Sequence, residues 1–284
     1  MKISIKCLAI VLATALSPAP TQAQNLFVGD FDSGNVYEFT PGGTQSTFAS
    51  GLVQPSGLAF DNVGNLFEAN NGIGNIYKFT AGGTQSIFTS GLNNPWGLAF
   101  DSAGDLFVTD RVGNIYKFTP GGTRSTFASG LLDANGLAFD STDNLFVTDS
   151  VGNIYKFTPG GMRSTFASGL AKPSGLAVDS MGNLFEADAG SGHIYEFTPG
   201  GTRSTFASGL NYPFGLAFDN AGNLFEADAN SGNIYEFTTD GMRSTFASGL
   251  LYPYFLAFQP VPEPSTWAML GIGAIALLGF RRRI

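Results

Sequence analysis

Few side chains in this sequence are equipped for chemistry, and their spacing decides how each is read. The single histidine, His193, stands where five other copies of the same motif carry Asn35, Asn75, Asn114, Asn153 and Asn233. It reads as a substituted turn residue, because a His-centred hydrolase needs the imidazole in a pocket beside a nucleophile. Three glutamates, Glu68, Glu186 and Glu226, recur at one motif position where other copies have Val28, Val108 and Val147. Strand alternation puts them on the side of Leu66, Leu184 and Leu224, so a half-buried glutamate paired with a neighbouring hydroxyl or Arg is expected. Asp61, Asp101, Asp140, Asp179 and Asp219 each end a "LAFD" or "LAVD" run, where a carboxylate caps the tight turn that follows. The one cysteine, Cys7, lies in a segment expected to be removed, which excludes disulfides, thiolate metal sites and cysteine nucleophiles.

A different signal comes from positions where the copies disagree. Residues that all copies share build the repeated unit, so a site is expected where they differ. Ahead of one strand the copies read "VQPSG", "NNPWG", "LDANG", "AKPSG", "NYPFG" and "LYPYF". The varying pairs are Gln54/Ser56, Asn94/Trp96, Asp133/Asn135, Lys172/Ser174, Tyr212/Phe214 and Tyr252/Tyr254. Brought to one place, they form an aromatic wall of Trp96, Tyr212, Phe214, Tyr252 and Tyr254. Asp133, Asn135 and Lys172 then form a polar side. Aromatic faces beside hydrogen-bonding groups suit a sugar or an extended peptide. The alternative is packing between repeat units with ordinary drift. "DFDSGN" (Asp30–Asn35) and "DANSGN" (Asp228–Asn233) space oxygen donors as calcium loops do, but lack the downstream acidic ligand. No cofactor is required by these motifs; calcium or magnesium is the ion such donors would take.

The elements that must position these residues follow from a repeat. Units begin at Asn25, Asn65, Asp105, Asn144, Asn183 and Asn223, are 39 or 40 residues long, and fill residues 25–262 without a linker. Each holds four short runs rich in Phe, Tyr, Ile, Leu and Thr, such as "NLFEAD", "HIYEFT", "TRSTFA" and "GLAFD", separated by Gly-containing turns. Connections this short force antiparallel neighbours. Four antiparallel strands per unit of about 40 residues predict an all-β, six-bladed β-propeller. The first unit starts on a second strand and the last ends on a lone inner strand, Tyr254–Phe258. The two ends are expected to pair into one composite blade that closes the ring.

The motif "P-x-G-LAFD-x-x-GNLFEAD-x-x-SGNIY-x-F-x-x-GG" resembles the NHL repeat and the six-bladed propellers of SMP-30/gluconolactonase and streptogramin lyase. The resemblance covers the region between the terminal segments and implies the propeller fold; one fold carries many activities. It implies that a lactonase would hold a metal with carboxylate and amide ligands at the central channel, where only Asp133, Asn135 and Asn94 stand. A lyase of this group is implied to use a His with a Glu and a magnesium ion, which a turn-borne His193 does not match.

Both ends read as targeting segments. Residues 1–23 have Lys2 and Lys6, the apolar run "CLAIVLATAL" and a small-residue end at Ala23, the pattern of a secretory signal. Residues 261–284 carry Pro262-Glu263-Pro264, an apolar run over 267–280 and Arg281–Arg283. That run makes about 21 Å of helix against a hydrocarbon core of about 30 Å, a short membrane-spanning helix. The three parts in this order resemble the PEP-CTERM sorting signal of Gram-negative bacteria, which implies an exosortase as partner, processing near Pro262-Glu263-Pro264 and delivery to the cell surface or medium. Removing the five basic and one acidic residues of these segments moves the formal net charge from −8 to −12. Such a body repels phosphate backbones and excludes nucleic acid as a partner. Residues 24–260 are therefore expected to be an exported propeller that binds or scaffolds, with an extracellular polysaccharide or peptide as ligand. The competing expectation is a metal-dependent lactonase or lyase.

Overall fold

The computed structural model describes residues 23–261. They form six four-stranded antiparallel sheets, and every strand belongs to one of them. Blade 2 shows the plan: inner strand Pro55–Phe60, second Leu66–Asn70, third Asn75–Phe79 and outer Gln85–Thr89. Blades 3 to 6 repeat it, with inner strands Pro95–Phe100, Leu137–Phe139, Pro173–Val178 and Pro213–Phe218. Blade 1 is the composite: its inner strand Pro253–Phe258 comes from the C-terminal end and pairs with Leu26–Asp30. The six inner strands touch in a closed cycle around a central channel. The expected transmembrane helix over 267–280 and the Pro262-Glu263-Pro264 site lie outside the described residues. Among the described residues no helix is long and apolar enough to cross a membrane.

Burial explains the composition of each strand. Second strands are buried at every position, so their apolar residues stand side by side, as Leu106, Phe107 and Val108 do in "LFVTD", and not in alternation. Outer strands expose their first three residues, which are Gln or Arg, Ser, and Thr or Ile. Between blades the abundant phenylalanines stack edge to face. Phe67 of blade 2 meets Phe88 of its own outer strand at 5.0 Å and Phe100 of blade 3 at 5.1 Å. The same trio recurs around Phe27, Phe107, Phe185 and Phe225, and each aromatic pair contributes roughly 0.5–1.5 kcal/mol beyond its buried area.

The closing joint uses the same contacts as an ordinary one. Leu26 pairs with Phe258, Phe27 with Ala257 and Val28 with Leu256. Phe258 takes the trio position against Phe225 at 4.9 Å. Inner strands approach one another so closely that a side chain is excluded at one position. A Cβ on Gly97 would lie 2.4 Å from the Asn135 carbonyl oxygen, and one on Gly175 2.2 Å from that of Phe214. The sixth copy has Phe255 at this position, and its ring packs against Phe214 at 5.5 Å.

The strand-ending aspartates cap turns as their spacing predicts. Asp61 Oδ1 accepts the Val63 and Asn65 amides, and its Oδ2 accepts Asn65 Nδ2. The glutamates correct the expectation made for them. Glu68, Glu186 and Glu226 are 0% exposed, and none of their carboxyl oxygens has a hydrogen-bond partner. Their position is that of Val28 and Val108, which pack in the apolar walls between blades. Burial pushes all three carboxyls well above the ordinary glutamate range. Ser174 and Phe214 turn a backbone N–H toward Glu186 and Glu226 and offset part of that shift, but neither approach meets hydrogen-bond geometry.

Candidate functional site at one end of the channel

Two sets of backbone segments meet at one end of the channel: the loops into the inner strands and the turns after the second strands. Backbone hydrogen bonds tie them in pairs. Phe31 N donates to Tyr252 O, Ala229 N to Tyr212 O, Ala189 N to Lys172 O and Ser150 N to Leu132 O. The last residue of the second strand adds a side-chain clamp. Asp188 accepts the Ala171 and Lys172 amides, Asp30 those of Leu251 and Tyr252, and Asp228 that of Asn211. Asp30 of "DFDSGN" and Asp228 of "DANSGN" are thus committed to loop backbone. The loops also hold a rare conformation. Gln54, Asn94, Asp133 and Tyr212 have φ between 49° and 69°, which a bulky residue such as Tyr212 adopts only at a cost of about 1–2 kcal/mol.

The structure brings the expected residues together, but the aromatic ones do not form a wall. Trp96 (1% exposed), Phe214 (4%) and Tyr254 (8%) are buried and fill the channel end as a plug. Trp96 belongs to blade 3, yet its ring reaches Phe214 of blade 6 at 6.0 Å and Tyr254 of blade 1 at 5.5 Å. Phe214 stacks on Tyr254 at 4.1 Å. The neighbouring blades contribute small Ser56, Ser174 and Asn135, which leaves the indole room to cross. Tyr212 and Tyr252 sit half-buried at the rim, 6.3 Å apart. Burial, with the other phenols nearby, holds the Tyr254 hydroxyl well above the ordinary phenol range, and Tyr252 is shifted the same way.

Beside the plug lies a cavity of about 100 Å3. Trp96, Phe214 and Tyr254 line one side, with Tyr212, Asp133, Asn135 and Lys172 around them; of the eight expected residues only Tyr252 stands off it. The Lys172 ammonium donates to the Tyr212 hydroxyl and lies 4.8 Å from the centre of that ring. Asn135 Nδ2 donates to Pro173 O at 3.3 Å. Larger hollows open on the opposite face, but the one between blades 5 and 6 is lined by Phe185, Phe206, Phe218 and Asp219, residues repeated in most copies.

Arg111 is the residue the sequence reading missed. Its guanidinium lies 4.1 Å over the Trp96 ring and its Nε 3.7 Å from Asp133 Oδ1. It follows Asp110, as Phe31, Asn71, Ser150, Ala189 and Ala229 follow the corresponding residue in other copies. That position varies as widely as the loop positions, so comparing the copies there would have found it. His193 lies away from the cavity, its ring parallel to Tyr195 at 5.5 Å. Asparagines at the same place donate to the equivalent tyrosine hydroxyl, as Asn35 does to Tyr37.

Among the described residues no three His, Cys, Asp or Glu side chains converge on a point that could hold a metal ion. At the channel end the one carboxylate facing the cavity, Asp133, is paired with Arg111. This donor set does not fit the divalent site that the lactonase resemblance implies.

Comparison with known proteins agrees with this architecture. A chain of the nidogen/laminin complex superposes with a TM-score of 0.77 at 22% identity, covering 84% of this chain and 99% of that one. A gluconolactonase from Xanthomonas campestris gives 0.66 at 22% identity, over 72% and 79%. A catalytically inactive histidine-to-alanine variant of virginiamycin B lyase from Staphylococcus aureus, solved with quinupristin, gives 0.65 at 14% identity, over 85% and 94%. At these identities the likeness shows the fold. No curated protein matches the sequence. The NHL repeat family matches residues 92–114, and the PEP-CTERM protein-sorting motif matches residues 260–283, the mark of an exported, envelope-targeted protein handled by an exosortase-type system. The chain is a six-bladed propeller that carries an NHL repeat and ends in a PEP-CTERM sorting motif.

Proposed function

We propose that this chain is an exported binding module that presents its channel-end cavity to an extracellular ligand, a polysaccharide or a peptide. One observation carries the reading. Six loops in equivalent positions differ in side chain where they converge, and five of them line one cavity with an aromatic floor and a charged rim. The direction of the chain supports it. The strand Pro253–Phe258 starts at this channel end and runs to the opposite face, where the sorting motif begins at residue 260. The cavity thus opens on the face opposite the start of the sorting motif, which suits a ligand met on the far side of the body. The nidogen/laminin neighbour offers an example of such a propeller in a complex with another protein.

The competing reading is a metal-dependent lactonase or lyase, favoured by the gluconolactonase and virginiamycin B lyase neighbours. Against it stand the donor set and the position of His193, since the lyase compared above is inactive without a histidine. The test is a glycan and peptide array probed with the full chain, beside a lactone-turnover assay with added calcium or magnesium. The binding reading expects array signals that fall at least tenfold on Tyr212→Ala. Metal-dependent turnover abolished by Asp133→Ala, with no array signal, would replace it by the enzymatic one.

A further inference from the structure

Two buried polar atoms on residues that line the cavity lack hydrogen-bond partners, and they are complementary. Trp96 Nε1 is buried and donates to nothing; Asp133 Oδ1 is buried and accepts no hydrogen bond, with Arg111 Nε 3.7 Å away. Indole N–H is purely a donor and an ionised carboxylate purely an acceptor. A buried donor or acceptor left unpaired costs about 1–3 kcal/mol, and proteins rarely leave one so. The two groups flank the same guanidinium: Arg111 lies over the Trp96 ring and beside Asp133. A ligand group that accepts from one and donates to the other would satisfy both.

We infer that the cavity clamps the hydroxyl edge of one sugar residue between Trp96 Nε1 and Asp133 Oδ1. This rests on the binding reading above and names its ligand class. A hydroxyl accepts and donates at a single atom, which suits a narrow space. At about 100 Å3 the cavity is smaller than the roughly 300–1,000 Å3 of sites that enclose a whole ligand, so it takes the edge of one ring and not a folded-in peptide segment. Tyr212 and Tyr252, half-buried at the rim, offer aromatic faces to the C–H surface of the next sugar. Lys172 is bound to the Tyr212 hydroxyl, so the rim that meets the chain is already ordered.

The probe is the indole N–H itself. The sequence has two tryptophans, so Trp267→Phe leaves Trp96 as the only indole resonance in the full chain, kept in a detergent without a sugar headgroup. Neutral tetrasaccharides of glucose and mannose are titrated in. A saturable downfield shift of the Trp96 N–H is expected, with affinity falling about tenfold in Trp96→Phe and in Asp133→Ala, a loss of about 1.4 kcal/mol each. Trp96→Phe keeps an aromatic side chain but removes the donor together with half of the indole, which also loosens the plug; Asp133→Ala sits on the rim, outside the apolar walls, so it tests the clamp even if the first variant folds poorly. Sugar binding abolished by Tyr212→Ala but untouched by both clamp variants would keep the binding module and overturn the clamp. A shift produced by Asn- or Gln-bearing peptides and by no sugar would overturn the sugar assignment. An indole proton protected from exchange and moved by no probe would mean water alone fills the cavity, and would overturn it too.

Discussion

The walls between blades and the end of the channel are built on opposite rules. In the walls each copy repeats the same residue in the same place: Phe67, Phe107 and Phe185 make the same edge-to-face contacts with their neighbours. At the channel end the backbone repeats and the side chains do not. Trp96, Asn135 and Phe214 occupy one position of the repeat, yet one spans the channel, one bonds a loop carbonyl and one stacks on Tyr254. Repetition therefore marks the walls and variation marks the candidate site. The glutamates are the exception, since they vary within a wall. Thr109 and Thr148, one residue further along in blades 3 and 4, show the satisfied alternative. Each hydroxyl accepts a glycine amide of its own blade and donates to a carbonyl of the next, 2.8–2.9 Å away.

Four changes test this division. The largest effect is expected from ending the chain before Tyr252, which strips blade 1 of its inner strand and opens the ring; cooperative thermal unfolding should be lost. An unchanged melting curve would show that the wall at the joint contributes nothing. Next, Phe67→Ala in a wall should lower stability by about 3–5 kcal/mol in a denaturant titration, because the cavity is closed in by rigid neighbours.

Third, Glu226→Val copies Val108 and should raise stability at pH 7 by about 1–3 kcal/mol, the usual cost of a buried unpaired polar group. The sign follows from the raised carboxyl. Below the unfolded value near 4.5 both states are protonated and the glutamate costs least. As pH rises past it the unfolded chain ionises first, so stability falls until the folded pKa is passed. Stability measured from pH 4 to pH 8 should decline in the parent chain and flatten stepwise as Glu68, Glu186 and Glu226 become Val. A rise in stability over that range would mean that the carboxyls are paired. The smallest effect belongs to the channel end. Tyr212→Asn suits φ of 69° and should change stability by less than about 1 kcal/mol while removing the Lys172 contact. A loss of several kcal/mol would make Tyr212 a wall residue.

The blades were legible because strand content, turn glycines and unit length all repeat, and each copy gives an independent reading of the same local physics. The closing joint was legible from the orphan strand Tyr254–Phe258. The site was legible only as a set of loop positions. Nothing in "NNPWG" says that its indole crosses the axis; that depends on how little Ser56, Asn135 and Ser174 fill, and on three blades meeting at once. Depth was also hidden. Alternation places Glu186 on a face of its strand, but only the next blade makes that face an interior one. Arg111 escaped because the turn it sits in looks like ordinary solvent-facing punctuation.

The joint between Leu26–Asp30 and Pro253–Phe258 also sets an order of events. Blades 2 to 6 are each made of contiguous chain and can assemble as they emerge. The first strand must wait, its outer neighbours in place and its inner side open, for a partner more than two hundred residues later. Contacts so distant in sequence form slowly, because the loop between them must be closed before they give anything back. The last strand to arrive is the one adjoining the sorting motif. Completion of the ring therefore reports that the whole body has been delivered, and a chain cut short in transit remains open along a bare strand edge.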